Sequence, residues 1–317
     1  MPRIHRLAPL AAAPAALAVL ALALTGCSAN ATVAAGSTAS AGADGTPIPI
    51  VASTNVYGDI AAQVGGNAVT VTSIIDDPDK DPHEYQADAQ NQLALSKAKI
   101  VIENGGGYDD FVDTMLSSAN NAGATVLNAA DISGIDQNPA DGAFNEHVWY
   151  DMPTVSKVVD KLTDALKAAD PADAATFTAN STAFQSKLAT IEAAEAATKA
   201  ESAGKGAAIT EPVPLYMLTA MGLTNKTPEA FTQAIEEGTD VAPDVLSQTL
   251  ALFSSNSVDV LAYNSQTSGP QTEAVLNAAK AAGVAVVPVT ETLPAGDDFI
   301  TWMTDNVNAI TAAVSSK

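Results

Sequence analysis

Two histidines stand in polar loops with a carboxylate beside the ring and an aromatic close behind: His83 in "DPHEY" and His147 in "NEHVWYD". Neutral imidazole is a good ligand for first-row divalent metals, and carboxylates add harder oxygen donors. Two acids complete the candidate set, Glu211 directly after the apolar run "GAAIT" and Glu291 directly after "VAVVPVT". Each alone also fits an ordinary surface side chain. What joins them is placement, two in each half of the chain and all in loops associated with strand-like segments, which is where open α/β sheets put their ligands.

The neighbours suggest separate roles. Glu84 and Glu146 are expected to shape the field around an ion, because adjacent side chains in a loop point apart. Tyr85 and Trp149 are expected to pack and keep water out. Asp151, before "MPTV", has the position of a helix N-cap. Asn264 and Gln266, in "YNSQTSG", end a strand, where they could orient a ligand carboxylate or cap a turn. Enzyme signatures fare worse. "HEYQA" begins like the H-E-x-x-H metal motif, but position 87 is Ala. No nucleophile elbow, phosphate-cradling loop or C-x-x-C is present, and Gly105-Gly106-Gly107 lacks dinucleotide spacing and reads as a strand-end turn.

The elements that must position these donors alternate. "IPIVAST" (48–54), "AVTVTSII" (68–75), "KIVIEN" (99–104) and "ATVLNA" (124–129) read as strands, with helices over 90–98 and 108–120. Residues 153–200 carry no strand signal and read as helix broken at "DPAD" (170–173). Alternation then returns, with strands at 206–210, 258–264 and 284–290 and helices at 214–222, 243–256, 269–283 and 297–316. The expectation is an α/β protein of two parallel-sheet lobes, 48–152 and 201–317, joined by a helical connector, 153–200.

Composition narrows the function. Of 317 residues 47% are hydrophobic, enough for one large or two ordinary domains. Lys and Arg total 14 against 36 Asp and Glu, a formal charge of -22, which excludes nucleic acid as a partner and suits a soluble extracytoplasmic protein or one that gathers cations. Arg3 and Arg6 precede an apolar run, Leu7 to Leu24, that ends in "LTGCS", the pattern of an export signal over residues 1–26. Leu24-Thr25-Gly26-Cys27 resembles the bacterial lipobox, in which the cysteine carries the lipid. Cys27 is the only cysteine in the sequence, so no disulfide can form within one chain. Residues 28–47 are Ser/Ala/Gly/Thr-rich and read as a tether of about 25 Å typical extension.

Taken together, "VASTNVYGDIAAQVGG" (51–66), "DPHEYQ", "VIENGGGYDDF" (101–111), "EHVWYDM" (146–152), "AAITEPVPLYMLTAMGL" (207–223) and "VPVTETL" (287–293) resemble the solute-binding lipoproteins of bacterial zinc/manganese ABC importers. That resemblance implies metal ligation by His83, His147, Glu211 and Glu291 in a cleft between two lobes, with modest closure on binding. It also implies delivery to a membrane permease driven by a cytoplasmic ATPase, from a monomer anchored outside the cell membrane through Cys27. "TEPVP" is an unusual form of the third segment, and Glu291 stands where the family more often has Asp. Oxygen donors lean toward Mn2+, but Zn2+ outcompetes it at most nitrogen/oxygen sites, so both are expected to bind, with Fe2+ also accommodated. Two alternatives keep the same fold: a surface metal-dependent hydrolase with Glu84 or Glu146 as base, and an adhesin or organic-solute receptor, which an aromatic content of 5% supports poorly.

Overall fold

The computed structural model describes residues 45–77, 85, 88–140 and 142–315. Cys27, His83 and Glu84 lie outside the described residues, as does the whole signal-like segment.

Two four-stranded parallel sheets organise the chain. The first holds β1 (Ile48–Thr54), β2 (Val69–Ile75), β3 (Ile100–Glu103) and β4 (Thr125–Asn128) in the order β2-β1-β3-β4. The second holds β5 (Gly206–Ile209), β6 (Thr224–Asn225), β7 (Val260–Asn264) and β8 (Ala285–Val289) in the equivalent order β6-β5-β7-β8. The inner strands are apolar runs, "IVIE" and "VLAYN", buried at every position because helices cover both faces of a parallel sheet. In each lobe the strand order reverses beside the first strand, between β1 and β3 and between β5 and β7. Loops leaving the carboxyl ends there splay apart and open a crevice.

Helices α1 (Asn55–Gly65), α2 (Ala89–Leu95), α3 (Phe111–Ala119) and α4 (Ala129–Ser133) follow the strands of the first lobe. Between the sheets run α5 (Met152–Ala169) and α6 (Ala174–Ser202), so the connector is a helical hairpin, split at the "DPAD" segment read from the sequence. Asp151 does cap α5: its carboxylate accepts from Thr154 N at 3.1 Å and Thr154 Oγ1 at 2.6 Å. Along α6 the buried positions Phe177, Ser181, Phe184, Leu188, Ile191, Glu195, Thr198 and Ser202 recur at four- and three-residue steps, one continuous stripe. At 1.5 Å per residue the helix is about 43 Å long. It reaches α1 of the first lobe and α7 (Leu215–Ala220) and α11 (Phe299–Ser315) of the second. The sequence left 223–242 unassigned; the structure places β6 and α8 (Glu229–Glu236) there, followed by α9 (Pro243–Ser254) and α10 (Pro270–Ala281).

One apolar core runs from Ile50 and Tyr57 through Trp149, Val158 and Phe184 to Ile209, Val289 and Trp302, and so belongs to both lobes. Side chains of α1 pin the lobes further. Asn55 Nδ2 donates to Leu293 O and Asn55 Oδ1 accepts from Leu293 N, both at 2.9 Å, while Asp59 accepts from Phe299 N at 2.8 Å. No helix among the described residues is long and apolar enough to cross a membrane.

Candidate metal centre

The second lobe supplies two buried acids on adjacent strand ends. Thr210, after β5, holds its backbone against β7: Thr210 N donates to Ala262 O at 3.2 Å and its Oγ1 accepts from Asn264 N at 2.9 Å. That leaves Glu211 4% exposed at the carboxyl edge of the sheet. Glu291, 1% exposed after β8, is set by Gln266, whose Oε1 accepts from Glu291 N at 2.5 Å. Between them, Asn264 Nδ2 donates to Glu211 Oε2 at 2.5 Å and to Glu291 Oε1 at 2.9 Å. Its Oδ1 accepts from Gln266 N at 3.1 Å, which fixes the amide orientation. One side-chain amide thus aligns two carboxylates that would otherwise repel.

His147 arrives from the first lobe. The strand-end glycine turn holds its loop: Gly105, Gly106 and Gly107 all have positive φ (72°, 67° and 95°), a region in which Cβ-bearing residues are strained. Asp109 staples that turn by accepting from Asn104 N at 2.6 Å and Gly105 N at 2.7 Å. Asn104 Nδ2 in turn donates to Glu146 O at 2.8 Å. The imidazole is 1% exposed, between Tyr108 and Trp149 at ring separations of 5.9 and 5.1 Å. Nδ1 lies 2.7 Å from Asn145 Oδ1, and Asn145 Nδ2 donates to Pro212 O at 3.1 Å, so the oxygen of Asn145 faces the ring. A carbonyl oxygen only accepts, so Nδ1 carries the proton and Nε2 presents the lone pair. Nε2 stands 4.0 Å from Glu291 Oε2 and 3.8 Å from Glu236 Oε1. Tyr108 OH crosses between lobes to Glu291 Oε2 at 3.3 Å.

Of the four expected donors, His147 and Glu291 approach within 4.0 Å, and Glu211 is tied to Glu291 through Asn264, which donates to both acids. His83 falls outside the described residues. Trp149 is buried beside the imidazole, and Tyr85 packs on Phe111 at 4.3 Å between ring centres, both as packing residues. Sequence reasoning missed Glu236. Ligand-capable atoms of Glu146, His147 and Glu236 all lie within 4.8 Å of one another, which puts Glu146 beside the imidazole. A signal for Glu236 did exist: it and Glu237 end α8 in acid, where the helix dipole favours cations, a local cost that marks a functional position.

Burial, followed by Glu146, Glu211, Glu291 and Glu237, pushes the Glu236 carboxyl up to about 9. Burial also raises Glu146. Carboxylates crowded this way, with an imidazole lone pair among them, are a cation-binding arrangement: a divalent ion would offset both the desolvation and the mutual repulsion.

Residues 50–313 match the family described as "Zinc-uptake complex component A periplasmic" (ZnuA). Similar curated proteins include the manganese-binding lipoprotein MntA of Halalkalibacterium halodurans, 27% identical over 149 residues, 47% of this chain and 49% of that one. The MntA of Bacillus subtilis is 29% identical over 179 residues, 55% of each chain. The chain thus spans about half the length of the curated relatives it matches. Among solved structures, FpvC of Pseudomonas aeruginosa in complex with Mn2+ superposes with a TM-score of 0.70 at 20% identity, over 86% of this chain and 99% of that one. The periplasmic zinc-binding protein TroA of Treponema pallidum gives 0.70 at 20%, over 85% and 99%. Both share the two-lobed fold. With five-sixths of its length matched, its sheets in the shared arrangement and the resemblance read from its loops upheld, the chain belongs to the ZnuA family.

Proposed function

We propose that this protein is the extracytoplasmic solute-binding component of an ABC importer, capturing Mn2+ or Zn2+, with Fe2+ also accommodated, and handing the ion to a membrane permease and its ATPase. The metal is cargo, and the chain carries out no chemical step on it. His147, Glu211 and Glu291 ligate, with His83 as the fourth donor; Asn264 and Asn145 hold the acids and the imidazole in orientation. A lipid on Cys27 keeps the protein, as a monomer, at the outer face of the cell membrane.

The observation that carries this reading is the approach of a buried imidazole from the first lobe to 4.0 Å from Glu291, one of two buried acids of the second lobe that share the Asn264 amide. Donors split between two lobes let a small relative displacement weaken the site, which is what a carrier that must release its ion needs. Elemental analysis and calorimetry on residues 28–317 test it. Wild type is expected to bind Mn2+ and Zn2+ one to one, competing for one site. His83→Ala and His147→Ala should each weaken binding by about a hundredfold or more, with unfolding of the ion-free protein unchanged. Wild-type affinity in both variants would refute the ligand set.

A further inference from the structure

The imidazole nitrogen that faces Glu291 at 4.0 Å also faces Glu236 at 3.8 Å, and these two carboxylates lie in different surroundings. A first-row ion sits about 2.0–2.2 Å from nitrogen or oxygen donors, so a single ion can bridge either pair. It cannot bridge both through one lone pair. The Nε2 lone pair can point at one ion at a time, because Nδ1 is committed to Asn145.

Burial orders the two positions. Glu291 and Glu211 are closed off, whereas Glu146 and Glu236 line a cavity of about 610 Å³ between the 142–146 loop and α8. Its rim is exposed at Gly142, Glu229, Gln233 and Glu237, its middle is half-buried at Glu146 and Glu236, and among the described residues no Lys or Arg lines it. An ion drawn by that acidic rim meets Glu236 and Glu146 before it can meet Glu291.

Building on the proposed function, we propose that this cavity is the ion's route into the centre, and that Glu146 and Glu236 form a transient outer coordination position that passes the ion to the inner acids through His147. The imidazole holds the ion in both positions, exchanging a Glu236 oxygen for a Glu291 oxygen, so the ion is never stripped of all protein ligands on its way in or out.

A relay of this kind lowers the barrier in both directions and leaves the end states alone. Stopped-flow binding of Zn2+ and of Mn2+ to residues 28–317, followed by tryptophan fluorescence, with dissociation into excess EDTA and affinity by calorimetry, tests it. In Glu236→Gln, association and dissociation should both slow by about tenfold or more while Kd stays within about threefold; Glu146→Gln should do the same more weakly. Glu237→Gln makes the same change one residue along, at the exposed and solvent-screened rim, and should change neither rate by more than about twofold. Faster dissociation with weaker Kd in Glu236→Gln would make it an ordinary ligand and overturn the relay, as would unchanged rates or an equal slowing in Glu237→Gln. Wild type that binds neither ion would sink the importer reading and the relay together, whereas normal wild-type binding with unaffected variants sinks the relay alone.

Discussion

Glu195 is a buried acid that the ion centre does not use, and it lets the electrostatics of the connector be measured separately. It occupies the apolar stripe of α6, 4% exposed, and its Oε1 has no hydrogen-bond partner among the described residues. Burial, then Glu192, then Asp151, push its carboxyl up to about 8, and Lys199 lines the recess beside it. A raised acid binds its proton more tightly folded than unfolded. Its contribution is therefore intact below the unfolded value near 4.5 and is lost as pH rises to about 8. At about 1.4 kcal/mol per pH unit the ceiling on that loss is about 5 kcal/mol. Water in the recess of about 320 Å³ screens the charge and should leave about 2 kcal/mol. Glu195→Gln keeps the shape and cannot ionise. In urea unfolding of the chelator-treated protein from pH 5 to pH 9, the variant should match wild type near pH 5 and exceed it by about 2 kcal/mol at pH 9. Ion affinity should not change, since the residue touches none of the donors. A stability difference flat with pH, or one that favours wild type at high pH, would refute the reasoning.

Asn264→Leu removes the donor shared by Glu211 and Glu291; calorimetry should show ion affinity falling about 10- to 100-fold as the acids swing apart. Asn145→Ala frees Nδ1 of His147 and cuts the link to Pro212 O, so affinity should fall about tenfold and the ring should lose its single tautomer by nitrogen-resolved NMR. Gly105→Ala must place a Cβ at φ 72° and into the Asn128 side chain; urea unfolding should show a loss of about 2 kcal/mol or more.

The alternation of apolar runs and amphipathic segments was enough to name two parallel-sheet lobes with helices between them, because burial on both faces keeps strands such as "IVIE" and "VLAYN" apolar until their last residue, Glu103 or Asn264. It was also enough to place Glu211, Asn264 and Glu291 at strand ends, since each directly follows or closes such a run. The two-residue strand β6 and the helix α8 carried too short a periodic signal to be assigned, and Glu236 went unnoticed with them. That His147 and Glu291 approach within 4.0 Å, although 144 residues apart in sequence, follows from the equivalent strand orders of the two sheets and the core they share. Residue type and local pattern marked His147, Glu211 and Glu291 as candidate donors and gave the kind of loop each would sit on. Which of them meet, which way the imidazole proton points, and which acid stands on the approach to the buried pair were decided only in three dimensions, because distance, tautomer and desolvation depend on neighbours that lie far away along the chain.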